Sequence, residues 1–246
     1  MAEFAETEAL MVRLINLLAD AFPSQAILRG GMVLRLLNCP RHTNDIDYVF
    51  VPYASKNDIA GPVLEALHKC KDFAVEHSMH STCMRIIVSS GDMRVQIELN
   101  AALECRSQEL STAELARSHH LQGRIIRVMN LDSALSHKLA AWQERGLLRD
   151  LYDAYFLHEI IGVRPEPTVL KDRLGRLSYQ RGKTKGPRSI KSGEFAAILR
   201  VAAGHLTENS IRKELSALLD EVELPGLELK MRKAMMSLAA IINEIP

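Results

Sequence analysis

Residues 28–50 of this 246-residue chain read LRGGMVLRLLNCPRHTNDIDYVF. Two adjacent glycines, Gly30 and Gly31, are followed by two aspartates, Asp45 and Asp47, separated by one isoleucine. Side chains alternate faces along a strand, so Asp45 and Asp47 point one way and Ile46 and Tyr48 the other. Two carboxylates about 7 Å apart on one strand face repel each other. Close approach raises a pKa unless a cation compensates. Mg²⁺ does this well, because it takes hard oxygen ligands, commonly one or two carboxylates plus substrate phosphates. A third acid is available in MRVQIELN (93–100). There Met93, Val95, Ile97 and Leu99 form an apolar face, and Arg94, Gln96, Glu98 and Asn100 a polar one. If the two strands pair, Glu98 joins Asp45 and Asp47. Three carboxylates can hold two Mg²⁺ ions, the arrangement used for in-line phosphoryl or nucleotidyl transfer. Singly, each feature is weak: a D-x-D pair or Glu98 reads equally as solvated sheet surface, and Gly-Gly as a turn. Their order together is specific.

The glycines sit where a strand hands over to a helix. Glycine lets a backbone approach an anionic ligand closely, and a helix start offers free N–H groups and a positive dipole end. Together these would cradle a triphosphate beside a metal. Thr43 either donates to a phosphate or caps its loop. Arg29, Arg41 and His42 are further candidates for triphosphate contact.

The elements that must position these residues follow from periodicity. Residues 3–21 repeat at helical spacing and stop at Pro23. A strand at 26–31, a short helix at 32–38, a loop at 39–44 and a strand at 45–52 follow. Residues 55–70 open on a cap-like Ser55 and become helical after Pro62. Strands are expected at 73–78, 83–90 and 94–101, the last two joined by a hairpin turn at Ser90-Gly91-Asp92. Beyond residue 125 helical periodicity dominates, at 131–145, 147–161, 194–204, 207–221 and 226–244, interrupted at 162–192. The expected fold is α+β, with a mixed-sheet domain over 1–125 followed by a helical domain over 126–246.

The net charge is +1, so attraction to nucleic acid has to come from local clustering. Residues 171–191 hold eight Lys or Arg and one Asp. With Tyr179 among them, this run reads as an RNA-binding surface or as a solvated interdomain loop. The four cysteines contain no C-x-x-C pair, which argues against zinc and for free thiols in a reducing compartment. The N-terminus lacks the features of a signal peptide and no apolar run is long enough to span a bilayer, so a cytoplasmic location is expected. His119 and His120 read as surface residues.

Gly30-Gly31, thirteen intervening residues, and Asp45-Ile46-Asp47 match the nucleotidyltransferase signature of the DNA polymerase β-like superfamily. With SHKLAAWQERGLLRDLYDAYFL (136–157), the chain resembles the AbiEii/MenT group of nucleotidyltransferase toxins of bacterial toxin–antitoxin systems. The resemblance covers roughly residues 25–160. It implies an NTP substrate, Mg²⁺ at Asp45, Asp47 and Glu98, a tRNA 3′ end as acceptor, and an antitoxin partner. A protein hydroxyl or a small-molecule hydroxyl is the alternative acceptor, and a non-catalytic RNA- or partner-binding protein the alternative class. By itself Lys138 reads as a snorkelling surface residue or a phosphate ligand; the resemblance implies the second. It also implies that Asp150, the first acid of the R-D-x-x-D run, orients Lys138 or an arginine, or helps to activate the acceptor. Asp153 is the alternative for that place, and by spacing it could equally form a surface ion pair with Arg149.

Overall fold

The computed structural model describes residues 2–177 and 189–245. They fall into two compact units, Met1–Asn130 and Leu131–Pro246. The first begins with α1 (Ala2–Ala21), β1 (Ala26–Arg29), α2 (Gly31–Leu36), β2 (Asp45–Phe50) and α3 (Asn57–His68). It continues with β3 (Ala74–Met79), β4 (Met84–Ser90), β5 (Met93–Ala101), β6 (Ser107–Ser111), α4 (Ala113–Ser118) and β7 (Ile125–Met129). The seven strands form one sheet in the order β3-β4-β5-β2-β1-β7-β6. It is mixed: β2 runs parallel to β5, and β1 parallel to β7, while the other pairs are antiparallel.

The alternation in β2 and β5 sets the two faces of this sheet. Leu28, Tyr48, Leu99 and Met84 lie in one cross-strand row and are all buried. Ile46, Ile97 and Ile86 form the next row. α1 supplies Leu10, Met11, Leu14, Ile15 and Leu18 to this core and packs along β5, β2, β1 and β7. Burying a side chain of this size contributes about 1.5–3 kcal/mol, so the register that keeps these rows inside is strongly specified. The opposite face carries the polar rows.

The second unit contains α5 (Leu131–Arg145), α6 (Leu148–Tyr155), which runs into a π-helical turn (Phe156–Ile160), and α7 (Pro167–Gly175). α8 (Ser192–His205), α9 (Glu208–Leu215) and α10 (Leu227–Asn243) complete it. α10 packs along α8, and α5 against α6 and α7. Trp142, Phe195, Leu199 and Met235 are buried in this unit. No helix among the described residues is long and apolar enough to cross a membrane.

Several local expectations change. α3 starts five residues before Pro62 and contains it. Asp58 accepts from the Ser55 N–H, and the Ser55 hydroxyl accepts from the Asn57 N–H, which ties down the first turn. Pro62 sits inside the helix, which begins at Asn57. β6 reads SQELS, with no apolar alternation to announce a strand at the sheet edge. α7 lies within the stretch expected to interrupt the helices; Pro167 opens it and the Glu166 carboxylate caps it. His119 is not a surface residue: its ring bonds the buried Glu8 carboxylate at 3.0 Å.

Candidate active site

The polar face of the sheet assembles residues that the chain keeps far apart. Asp47 on β2 is in register with Glu98 on β5 and with Arg29 on β1. Glu98 is in register with Arg85 on β4. Registered partners project from the same side of a sheet, with Cβ atoms about 4.5–5.5 Å apart. Arg85, Glu98, Asp47 and Arg29 therefore form one row across four strands, two acids between two cations. Asp45 stands two residues before Asp47, opposite Gln96.

Each carboxylate is anchored differently. The Thr43 hydroxyl donates to Asp45 Oδ1 at 2.7 Å, so Thr43 orients an acid rather than only capping its loop. Arg85 Nη2 and Gln96 Nε2 both donate to Glu98 Oε1, at 3.1 and 3.0 Å. With its amide oriented to satisfy both neighbours, Asn100 accepts from Arg29 Nη2 at 2.6 Å and donates to the Thr82 carbonyl.

The glycines act on the site through space. Gly30 has φ +77°, a left-handed conformation that disfavours any side chain. A Cβ there would run into Asp47 Oδ2. A Cβ on Gly31 would stand 2.6 Å from Thr43 Oγ1 and 3.0 Å from Arg41 Nη2. The pair thus makes room for the carboxylate and for the side chain that orients its neighbour. α2 is only six residues long, so this helix start contributes little dipole. Arg41 is buried and donates to the His42 carbonyl, while the His42 ring lies against Phe4.

Carboxylate oxygens from two adjacent strands are a donor set that suits a hard divalent cation. As the side chains stand, no three His, Cys, Asp or Glu groups among the described residues are placed to share one ion. Glu98 Oε1 is already engaged by Arg85 on β4 and by Gln96 on its own strand.

In the helical unit, Lys138 on α5 makes an ion pair with Asp153 on α6 at 2.6 Å. Asp153 is wholly buried, which rules out a surface pairing with Arg149. Asp150 takes Arg145 Nη2 on both oxygens, at 2.7 and 2.9 Å. Burial pushes the Asp150 carboxyl above its ordinary value; Lys138, Arg145 and Arg149 pull it down and the Asp153 charge pushes it up. Asp153, the alternative for the fourth acid, is thus the one holding Lys138, and Asp150 holds an arginine. Of the basic run, Arg173 pairs with Glu144 and Arg176 with Asp172. Residues 178–188, including Tyr179, lie outside the described residues.

Arg85 is not among the residues expected in the site, although its place is signalled in the sequence. A hairpin with Gly91 and Asp92 at its tip pairs Ser90 with Met93, and counting outward pairs Arg85 with Glu98. Arg145 carried no comparable signal, since only the packing of α5 and α6 brings it to Asp150.

The family model described as "Nucleotidyl transferase AbiEii toxin, Type IV TA system" matches residues 14–240. Among solved structures, the fold is similar to MenT4, a nucleotidyltransferase toxin from Mycobacterium tuberculosis. That match has a TM-score of 0.62 at 17% identity and covers 97% of this chain and 84% of the other. It is also similar to JHP933 from Helicobacter pylori, with a TM-score of 0.54 at 16% identity, covering 99% and 93%. A comparison with curated proteins gives no match.

Proposed function

The chain belongs to the AbiEii nucleotidyltransferase toxin family, and from that premise we propose that it uses Mg²⁺ to move a nucleoside monophosphate from an NTP to the 3′ end of a tRNA. The observation that carries the reading is the registry of Asp47 with Glu98 beside Gly30 on the polar sheet face. Asp45, Asp47 and Glu98 are the residues that would hold the metal, as a pair of Mg²⁺ ions. Divalent ions there would neutralise the triphosphate and favour in-line attack at the α-phosphorus, with pyrophosphate leaving. Thr43 sets the direction of the Asp45 carboxylate through its 2.7 Å hydrogen bond. Gly30 and Gly31 keep the approach free of side chains, and Arg29 brings a positive charge to the same row. Lys138 is assigned to the phosphates. Its side chain is 18% exposed and its ammonium is paired with a buried acid, which fixes the position of the charge. Asp150 has a supporting role through Arg145. Most of the catalytic effect in such a site is positioning and charge neutralisation.

The tRNA acceptor is supported by the cationic run at 171–191 and by the family. An antitoxin partner is supported by the family's type IV toxin–antitoxin context. A second reading, a non-catalytic binding protein on this scaffold, is favoured by one observation: the acids do not converge as they stand. Labelling decides between the two. The purified protein is incubated with each labelled NTP, Mg²⁺, and total RNA or total protein in turn. Label should enter the tRNA fraction and need Mg²⁺. Asp45→Asn and Asp47→Asn should each lower incorporation by at least about 100-fold and relieve toxicity on expression, with circular dichroism unchanged. Turnover retained in both variants removes these acids from the site. Label in protein moves the acceptor, and no label in any fraction supports the binding protein.

A further inference from the structure

β5 lies between β4 and β2, so Arg85 and Asp47 flank Glu98 on opposite sides. Both donors to Glu98, Arg85 and Gln96, converge on the same oxygen, Oε1. Arg85 holds that oxygen from β4, and Gln96 holds it from Glu98's own strand. The ion pair is a contact that can be exchanged: Arg85 is 41% and Glu98 27% exposed, and solvent weakens such a pair. Arg85 is also incompletely satisfied in this seat, since its Nε–H is buried with no hydrogen-bond partner.

Resting on the metal-dependent reading above, we infer that Arg85 is a positioning residue that competes with the divalent cation for Glu98. Its guanidinium occupies the third carboxylate when no cation is bound and gives it up when a cation binds at Asp45 and Asp47. A doubly charged ion in contact with hard oxygens wins over a partly exposed guanidinium. The exchange sets how tightly the cation is held, and it leaves Arg85 uncommitted on the same polar face.

Binding of Mn²⁺ to the full chain without nucleotide, read from the electron paramagnetic resonance signal of free Mn²⁺, tests this. Arg85→Ala should tighten the apparent Kd about two- to fivefold, the factor that a partly exposed ion pair supplies. Arg85→Gln, which keeps a donor but no charge, should shift it in the same direction. In a Glu98→Gln background neither substitution should change the Kd, because the competition no longer exists. Unchanged or weaker binding in the Arg85 variants overturns the inference. So does equal tightening in the Glu98→Gln background, which would be a general effect of removing a positive charge. Asp47→Asn separates the two levels. If it abolishes Mn²⁺ binding while the Arg85 variants behave as the parent, the metal reading stands and the role of Arg85 falls. If it leaves Mn²⁺ binding intact, the metal reading falls and this inference with it.

Discussion

Asp47 and Glu98 stand side by side on adjacent strands, partly open to solvent, while Asp150 and Asp153 lie three residues apart on one helix at 1% and 0% exposure. In the sheet, acids face acids and cations flank the row. In the helical unit each buried acid has its own cation, Arg145 for Asp150 and Lys138 for Asp153. The difference separates two uses of a carboxylate. A half-exposed acid beside a like charge is destabilised in its charged form, and an incoming cation would relieve that repulsion. A buried acid with a fixed partner is committed to structure, and the partner is what it positions.

The sharpest way to break this contrast is to compare stabilities by chemical denaturation. Asp153→Ala should cost about 3–5 kcal/mol, the usual effect of breaking a buried pair. Asp47→Asn should cost less than about 1 kcal/mol while removing activity. Equal losses would mean that the two sets of acids do the same work. Gly30→Ala comes next. A Cβ at φ +77° and against the Asp47 carboxylate should cost about 1–3 kcal/mol, and NTP incorporation should fall with it. An alanine variant as active as the parent would remove Gly30 from the site.

The smallest effect concerns pH and uses a third acid. Burial alone would raise the Glu8 carboxyl, but hydrogen bonds and charge from Arg35 and His119 outweigh it and hold it below its ordinary value. A depressed carboxyl adds stability above its unfolded pKa, about 4.3, and that stability is lost as pH falls through the folded value. The parent should therefore exceed Glu8→Gln by about 1–2 kcal/mol at pH 7, with the gap closing in acid. A gap that persists at low pH would assign the effect to packing. Asp150 has the opposite sign. Its raised carboxyl carries a cost that is absent below the unfolded pKa and complete above the folded one.

Strands β1 to β5 were legible in the sequence, whereas β6 and β7 were not among the expected strands. β2, β4 and β5 each lie within two residues of their expected limits because alternation is a local signal. The polar edge strand β6 carried no such alternation, and Pro62 concealed the true start of α3. Within the site, Asp45 and Asp47 share a face by strand geometry alone, and the adjacent glycines marked a close approach. What they approach was not legible: Gly30 makes room for Asp47 itself.

Local patterning along the chain specifies the alternation of Asp45 and Asp47, the polar face that holds Glu98, the hairpin that pairs Arg85 with Glu98, and the helical character beyond residue 125. Long-range packing makes β5 the neighbour of β2, sets Glu98 opposite Asp47, and gives Lys138 to Asp153 and Arg145 to Asp150. The reason is range. Periodicity and turn geometry act over a few residues and are written in the order of the chain. Parallel strand pairing and helix packing are selected by the burial of whole apolar faces, a sum over segments that no single stretch contains.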